Sequence, residues 1–150
     1  MVIDSELLAV LKNLVVDDEV VRVRRLVSEP SQTPYTDDII RETIALHPLV
    51  DRNDAEPFYT CPFSISTEWV PTWDLYAAAA DIWTEKAAAV ACKISFDADG
   101  VDIKRSDLHT HYMRQAMFCM SRRVATSIRL VARERGDRDT EYIVANYVGD

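Results

Sequence analysis

Apolar residues recur at intervals of three and four through most of the chain, so the pattern predicts a mainly α-helical protein. In the first stretch Leu7, Leu8, Leu11, Leu14 and Val15 share one face, with Asp4 or Ser5 placed to cap its start. The acidic triplet Asp17-Asp18-Glu19 predicts a break. Residues 20–27 resume the helical pattern with Arg22, Arg24 and Arg25 outward, although dense β-branching lowers helix propensity there. Thr36 is the expected cap of a helix ending near His47, with Asp37 and Asp38 complementing its first-turn dipole and Pro48 stopping it. The strongest periodicity covers residues 73–94, capped by Thr72. Its buried stripe is Leu75, Ala79, Ile82, Trp83, Ala87, Val90 and Ile94, with Asp74, Asp81 and Glu85 opposite. Ser106 is the expected cap of a further helix whose core residues are Leu108, Tyr112, Met113, Ala116, Met117 and Met120. Arg122 and Arg123 fall in its last turn, favourably for the dipole.

Between these helices the pattern changes. All six prolines lie between residues 30 and 71, which makes the middle of the chain loop-rich. The irregular stretch 48–71 carries Phe58, Tyr59, Phe63, Ile65 and Trp69, an aromatic content foreign to a disordered linker. Such a loop either reaches across a neighbouring subunit or covers its own core. Residues 96–103 alternate apolar and polar around Asp99-Gly100 and predict a short β-hairpin. Residues 126–132 fit a strand or a further helical turn, 133–139 a charged linker, and 141–148 (EYIVANYV) an extended strand. The expected architecture is a small helical bundle over residues 1–132 with a short β-hairpin between the two long helices. An extended C-terminal tail follows over residues 133–150.

Composition narrows the function classes. At 150 residues, 48% apolar and 28% charged, the chain has the makings of one soluble domain with a real core. The three cysteines, Cys61, Cys92 and Cys119, form no CxxC pair, which argues against a disulfide framework or zinc ribbon and for a reducing compartment. Asp4, Glu6 and Lys12 interrupt the first apolar stretch, so no signal peptide is expected, and the longest apolar helical run, residues 87–92, is too short for a bilayer. The net charge of −8 is uneven: residues 1–103 hold 8 basic and 19 acidic side chains, whereas residues 104–138 hold 9 basic and 3 acidic. That polarity suits head-to-tail contact between copies, and equally a basic helix solvated by itself.

No constellation points to catalysis. Gly100, Gly136 and Gly149 are the only glycines, leaving no phosphate cradle, and no GxSxG, HExxH or dinucleotide fingerprint occurs. Asp97-Ala98-Asp99-Gly100 resembles the start of a calcium loop, but the twelfth position is Leu108 rather than glutamate. His109 and His111, two apart on a helix, point in nearly opposite directions and cannot clamp one metal ion. Neither metal nor cofactor is expected, and an enzyme is the least supported class. Arg105, Arg114, Arg122, Arg123, Arg129, Arg133, Arg135 and Arg138 define a different reading, a small DNA-binding regulator. The acidic remainder of the chain opposes it.

Several segments, taken in order, resemble head-to-tail adaptor (connector) proteins of long-tailed bacteriophages. They are residues 24–30 (RRLVSEP), 35–38 (YTDD), 47–51 (HPLVD), 73–89 (WDLYAAAADIWTEKAAA), 96–100 (FDADG), Arg105-Ser106, 112–116 (YMRQA) and 121–123 (SRR). The resemblance covers roughly residues 22–131; the helix of residues 4–16 looks like an addition, and the tail after Arg133 has no counterpart. It implies a structural, non-enzymatic ring subunit, typically dodecameric, that lies beneath the portal, continues the DNA channel and receives the next neck component. The implied partners are the portal, head-closure or tail-completion proteins and further copies of the chain, with DNA passing unread and no membrane involved. The implied location is the virion neck, after synthesis in the host cytoplasm. A head-closure or tail-completion role is the alternative within that setting. The expected interface residues are Arg24, Arg25, Arg122, Arg123 and Arg129, with Tyr142, Ile143, Tyr147 and Val148 docking the tail by strand addition.

Overall fold

Side-chain caps set where the helices begin. In the computed structural model, which describes residues 2–29, 34–59, 64–94, 102–124 and 131–132, Asp4 Oδ1 accepts from Leu7 N at 2.7 Å and opens α1 (Ser5–Leu14). The next break falls at Val15 and Val16, which are extended. The acidic triplet expected to mark the break instead fills the first turn of α2 (Asp17–Leu26), where negative charge meets the positive helix end. Glu19 reaches back to accept from Val16 N at 3.0 Å. Thr36 Oγ1 accepts from Ile39 N at 3.3 Å and caps α3 (Asp37–Ala45), as the sequence predicts.

The end of α2 is finished by another helix. Ser28 stands at φ 54, and Glu29 N donates to Arg24 O at 3.1 Å while Ser28 N donates to Arg25 O at 3.4 Å. This is a left-handed helix stop in which serine occupies the position glycine prefers, at roughly 1 kcal/mol. Two side chains of α4 (Leu75–Ile94) satisfy the carbonyls left over: Trp83 Nε1 donates to Leu26 O at 3.2 Å, and Lys86 Nζ to Val27 O at 2.6 Å. Lys86 also pairs with Glu29 at 2.8 Å and lies 4.4 Å from the centre of the Trp83 ring.

α4 is the central element. It packs against α2, α3 and α5 (Asp102–Met120), while α1 lies on α3. Ala77, Ala78, Ala79 and Ala80 are all buried, joined in the core by Leu8, Leu11, Val20, Val23, Ile40, Ile44, Ile82, Trp83, Ala116 and Cys119. The segment that looks like an added helix is thus part of the common core, with Leu11 fully enclosed. β1 (Val2–Ile3) pairs in parallel with β4 (Val131–Ala132), tying the residues after α5 to the N-terminus.

The architecture is mainly α with one short antiparallel hairpin, but the hairpin is not where the sequence places it. β2 (Phe58–Tyr59) pairs with β3 (Ser64–Ile65) between α3 and α4, inside the stretch read as irregular. Of the expected hairpin at 96–103, residues 96–101 lie outside the described residues, and Asp102 and Ile103 already belong to α5. Ser106 is therefore inside that helix rather than at its cap. The loop covers its own core. Asp51 accepts from Asn53 N, Ala55 N and Val70 N at 2.7, 3.0 and 3.0 Å, Trp69 Nε1 donates to Leu49 O at 2.8 Å, and Trp69 meets Trp73 edge-on at 5.4 Å.

The start of α4 corrects two further expectations. Thr72 does not cap it: its hydroxyl donates to Val70 O. Asp74 does, with Oδ1 accepting from Ala77 N at 2.9 Å. Expected on the solvent side, Asp74 is only 2% exposed, because a residue just before the helix does not follow the helical wheel. Its second oxygen accepts from Val124 N at 3.2 Å, and Arg123 Nε lies 3.8 Å away, so one carboxylate joins the start of α4 to the exit of α5. Asp81, also expected outward, is half-buried and paired with His47 at 2.9 Å. Glu85 is exposed and hydrogen-bonded to Tyr35, whose phenol is pushed up to about 12 by desolvation and then by that carboxylate.

Asp74→Ala removes the α4 cap and the acceptor of Val124 N, so we expect a loss of about 1–3 kcal/mol by urea titration; a loss within error would contradict this double role of the carboxylate. The backbone N–H groups around Asp51 hold its carboxyl below the ordinary 3.8. Its contribution is therefore complete above 3.8 and is lost as the pH falls through the lower folded-state value. Between neutral pH and about pH 3, Asp51→Asn should show a smaller fall in Tm than the wild type. Parallel acid limbs would exclude this role.

Candidate assembly surface

α5 meets α4 through two small side chains and through Tyr112, whose ring centre lies 5.4 Å from that of Trp83. Ala116 and Cys119 are buried and Tyr112 half-buried. Met113, Met117 and Met120, four and three residues apart, form one stripe at about 100° per residue. All three are exposed, Met117 by 65%. Leu108, Phe118 and Val124 are also more than a third exposed.

This is a correction, since Leu108, Met113, Met117 and Met120 are expected to face the core. The reason is steric. A seam closed over alanine and cysteine brings two helices near each other and leaves no room for methionine. Apolar residues lie around most of the circumference of α5, so periodicity alone cannot say which arc is buried.

The rim of the face is basic and aromatic. The Arg122 guanidinium lies 4.6 Å from the Phe118 ring centre and 6.0 Å from that of Tyr76. Such exposed stacking contributes about 0.5–1 kcal/mol and fixes where the charge stands. Arg114 is exposed on the same helix. His111 is exposed and meets Trp83 edge-on at 6.3 Å, whereas His109 is half-buried.

The other expected interface residues divide sharply. Arg24, expected outward, has a side chain only 12% exposed. It donates to Asp37 Oδ1 from Nε at 2.9 Å, to Tyr35 O at 2.9 Å and to Glu29 O at 3.3 Å, bracing the connection between α2 and α3. Arg25 is exposed and, with Val21, Ser28 and Glu29, lines a shallow groove on α2. Arg122 and Arg123 lie just past α5, which ends at Met120, and not in its last turn as expected, with Arg123 turned toward Asp74. Arg129, Tyr142, Ile143, Tyr147 and Val148 lie outside the described residues, as do the Asp97–Gly100 turn and Cys61.

Phe118 was not singled out from sequence, yet its signal was there: Arg122 follows at i+4, the spacing that places two side chains in contact on a helix surface. The Cys119 thiol is pushed up by desolvation, which suits a packing role and not a reactive one. No group of three or more His, Cys, Asp or Glu side chains is arranged to hold a metal ion among the described residues. No helix among them is long and apolar enough to cross a membrane.

The chain was compared with protein-family models, curated proteins and solved structures. Nothing matches.

The geometry separates the two arcs of α5 in a measurable way. Met117→Ser, on the outer stripe, should change folding stability by no more than about 0.5 kcal/mol. Ala116→Leu, at the seam, should cost about 1–3 kcal/mol through overpacking. Equal costs by urea titration would mean that the methionine stripe is covered after all.

Proposed function

We propose that this chain is a structural subunit of a tailed-bacteriophage neck, a helical adaptor that joins the portal to the tail and acts through contacts with other protein chains. One observation carries the reading: a firmly packed helix presents Met113, Met117, Met120 and Phe118 outward, with Arg114 and Arg122 beside them. Methionine, aromatic residues and arginine are the side chains enriched at protein interfaces, and methionine adapts its shape to a partner.

The ordered segments that resemble head-to-tail adaptors supply the setting. Copies arranged as a ring would continue the DNA channel, with the portal on one side and a head-closure or tail-completion protein on the other. The acidic excess of the chain keeps such a wall from gripping DNA that must pass. The C-terminal residues, with Tyr142, Ile143, Tyr147 and Val148 beyond a charged stretch, are the docking segment for the portal in this reading.

Deleting residues 134–150 should leave a protein with unchanged circular dichroism that no longer adds a layer of density to purified portal in electron micrographs. Undiminished decoration of the portal by the shortened chain would sink the docking role.

A further inference from the structure

Two groups of exposed large apolar side chains have opposite electrostatic character. The first is the exposed half of α5, with Met113, Met117 and Met120 on one flank and Phe118 on the other, Arg114 between them and Arg122 beside Phe118. The second lies on the outward side of α1 and α3. Glu6, Val10 and Asn13 run along α1 at spacings of four and three, and Asp38, Ile39 and Glu42 stand together on α3; all six are exposed. α1 packs on α3, and Lys12 of α1 pairs with Asp38 at 2.5 Å, so these two outward faces adjoin. Val10 and Ile39 are 50% and 41% exposed among carboxylates.

We infer that the α5 face of one copy docks on the outward α1–α3 face of a second copy. This rests on the assembly role proposed above and names the two faces that would meet. Charge decides between the arrangements. A twofold contact of α5 with α5 would set Arg114 and Arg122 against their own counterparts, and like charges brought together oppose association. Contact between the two different faces places apolar side chains on apolar side chains and arginine beside glutamate.

The layering of the fold supports the same geometry. α4 lies between α5 and the α2–α3 pair, and α1 is added beyond α3. The two faces belong to different elements, α5 on one hand and α1 with α3 on the other. A contact of this kind is heterologous and repeats from copy to copy, and it closes into a ring when the rotation between neighbours permits.

Two charge-reversed variants of the full chain test the assignment by sedimentation velocity at low salt. Glu6→Lys with Glu42→Lys alters the acidic face, and Arg114→Glu with Arg122→Glu alters the basic one. Both pairs are exposed, and circular dichroism verifies that each variant is folded. The wild type should associate with rising concentration and less so in added salt. Each variant alone should associate about tenfold more weakly or worse. An equimolar mixture of the two should recover association, because each reversed face then finds a complementary one. Wild-type association by the Glu6→Lys, Glu42→Lys variant would overturn the assignment in favour of an α5–α5 contact. A mixture that stays monomeric, or a wild type monomeric up to millimolar concentration, would also overturn it. The portal-decoration experiment reads a different surface, so its outcome separates failure of this pairing from failure of the neck role itself.

Discussion

Burial of α4 on every side at Ala77 to Ala80, just inside its start, is the constraint from which the rest of the structure follows. Four consecutive buried residues, Ala77 to Ala80, go fully around a helix, so this turn has no solvent face. A helix that begins inside a protein must find partners for its first N–H groups there, since water is excluded. Asp74 supplies one, and burying that carboxylate in turn requires donors for its other oxygen. The segment after α5 provides one, Val124 N, with the Arg123 guanidinium within ion-pair range. The position of the last helix is thus a consequence of how the central one starts.

Farther along, α4 does the same for its neighbour. The left-handed stop at Ser28 leaves carbonyls at the end of α2 facing the core, and Trp83 and Lys86 donate to them. Lys86 can be held there because Glu29 balances its charge and the Trp83 ring offers a π face in place of water. The His47–Asp81 pair follows the same logic at the end of α3, where the His47 carbonyl also accepts from Asp74 N at 2.9 Å. Buried pairs of this kind add little net stability over apolar substitutes, but losing one partner leaves the other stranded. They specify one arrangement of α2, α3, α4 and α5 over alternatives with similar apolar burial.

The sequence carried the helices and missed what lies between them, for reasons that differ by residue. Asp4 and Thr36 precede clear apolar periods, and a short side-chain oxygen three residues before a free N–H acts locally, so those caps were readable. Asp74 was misplaced because a wheel drawn through residues 73–94 treats a cap as though it were already helical. Arg24 was read as outward from its charge. Its role depends on Asp37, thirteen residues away across a turn, which no local pattern encodes. The hairpin of β2 and β3 was hidden because two-residue strands show no alternation to detect. The candidate site was legible only in part: Arg122 was singled out, but the methionines beside it were assigned to the core.

That misassignment bears directly on what the protein does. Polar residues usually mark the outer face of a helix, and α5 lacks a clean polar arc because its outer face is itself apolar in places. Natural surfaces seldom bear methionine and phenylalanine on a helix whose packing is already completed by Ala116 and Cys119. Were the stripe needed for folding, the seam would have been built from larger side chains and the interhelical distance would be greater. α5 is thus held to its own domain through Ala116, Cys119 and Tyr112, while its methionines and Phe118 stay on the outside. Met113, Met117 and Phe118 stay exposed, as the proposed docking to another chain requires.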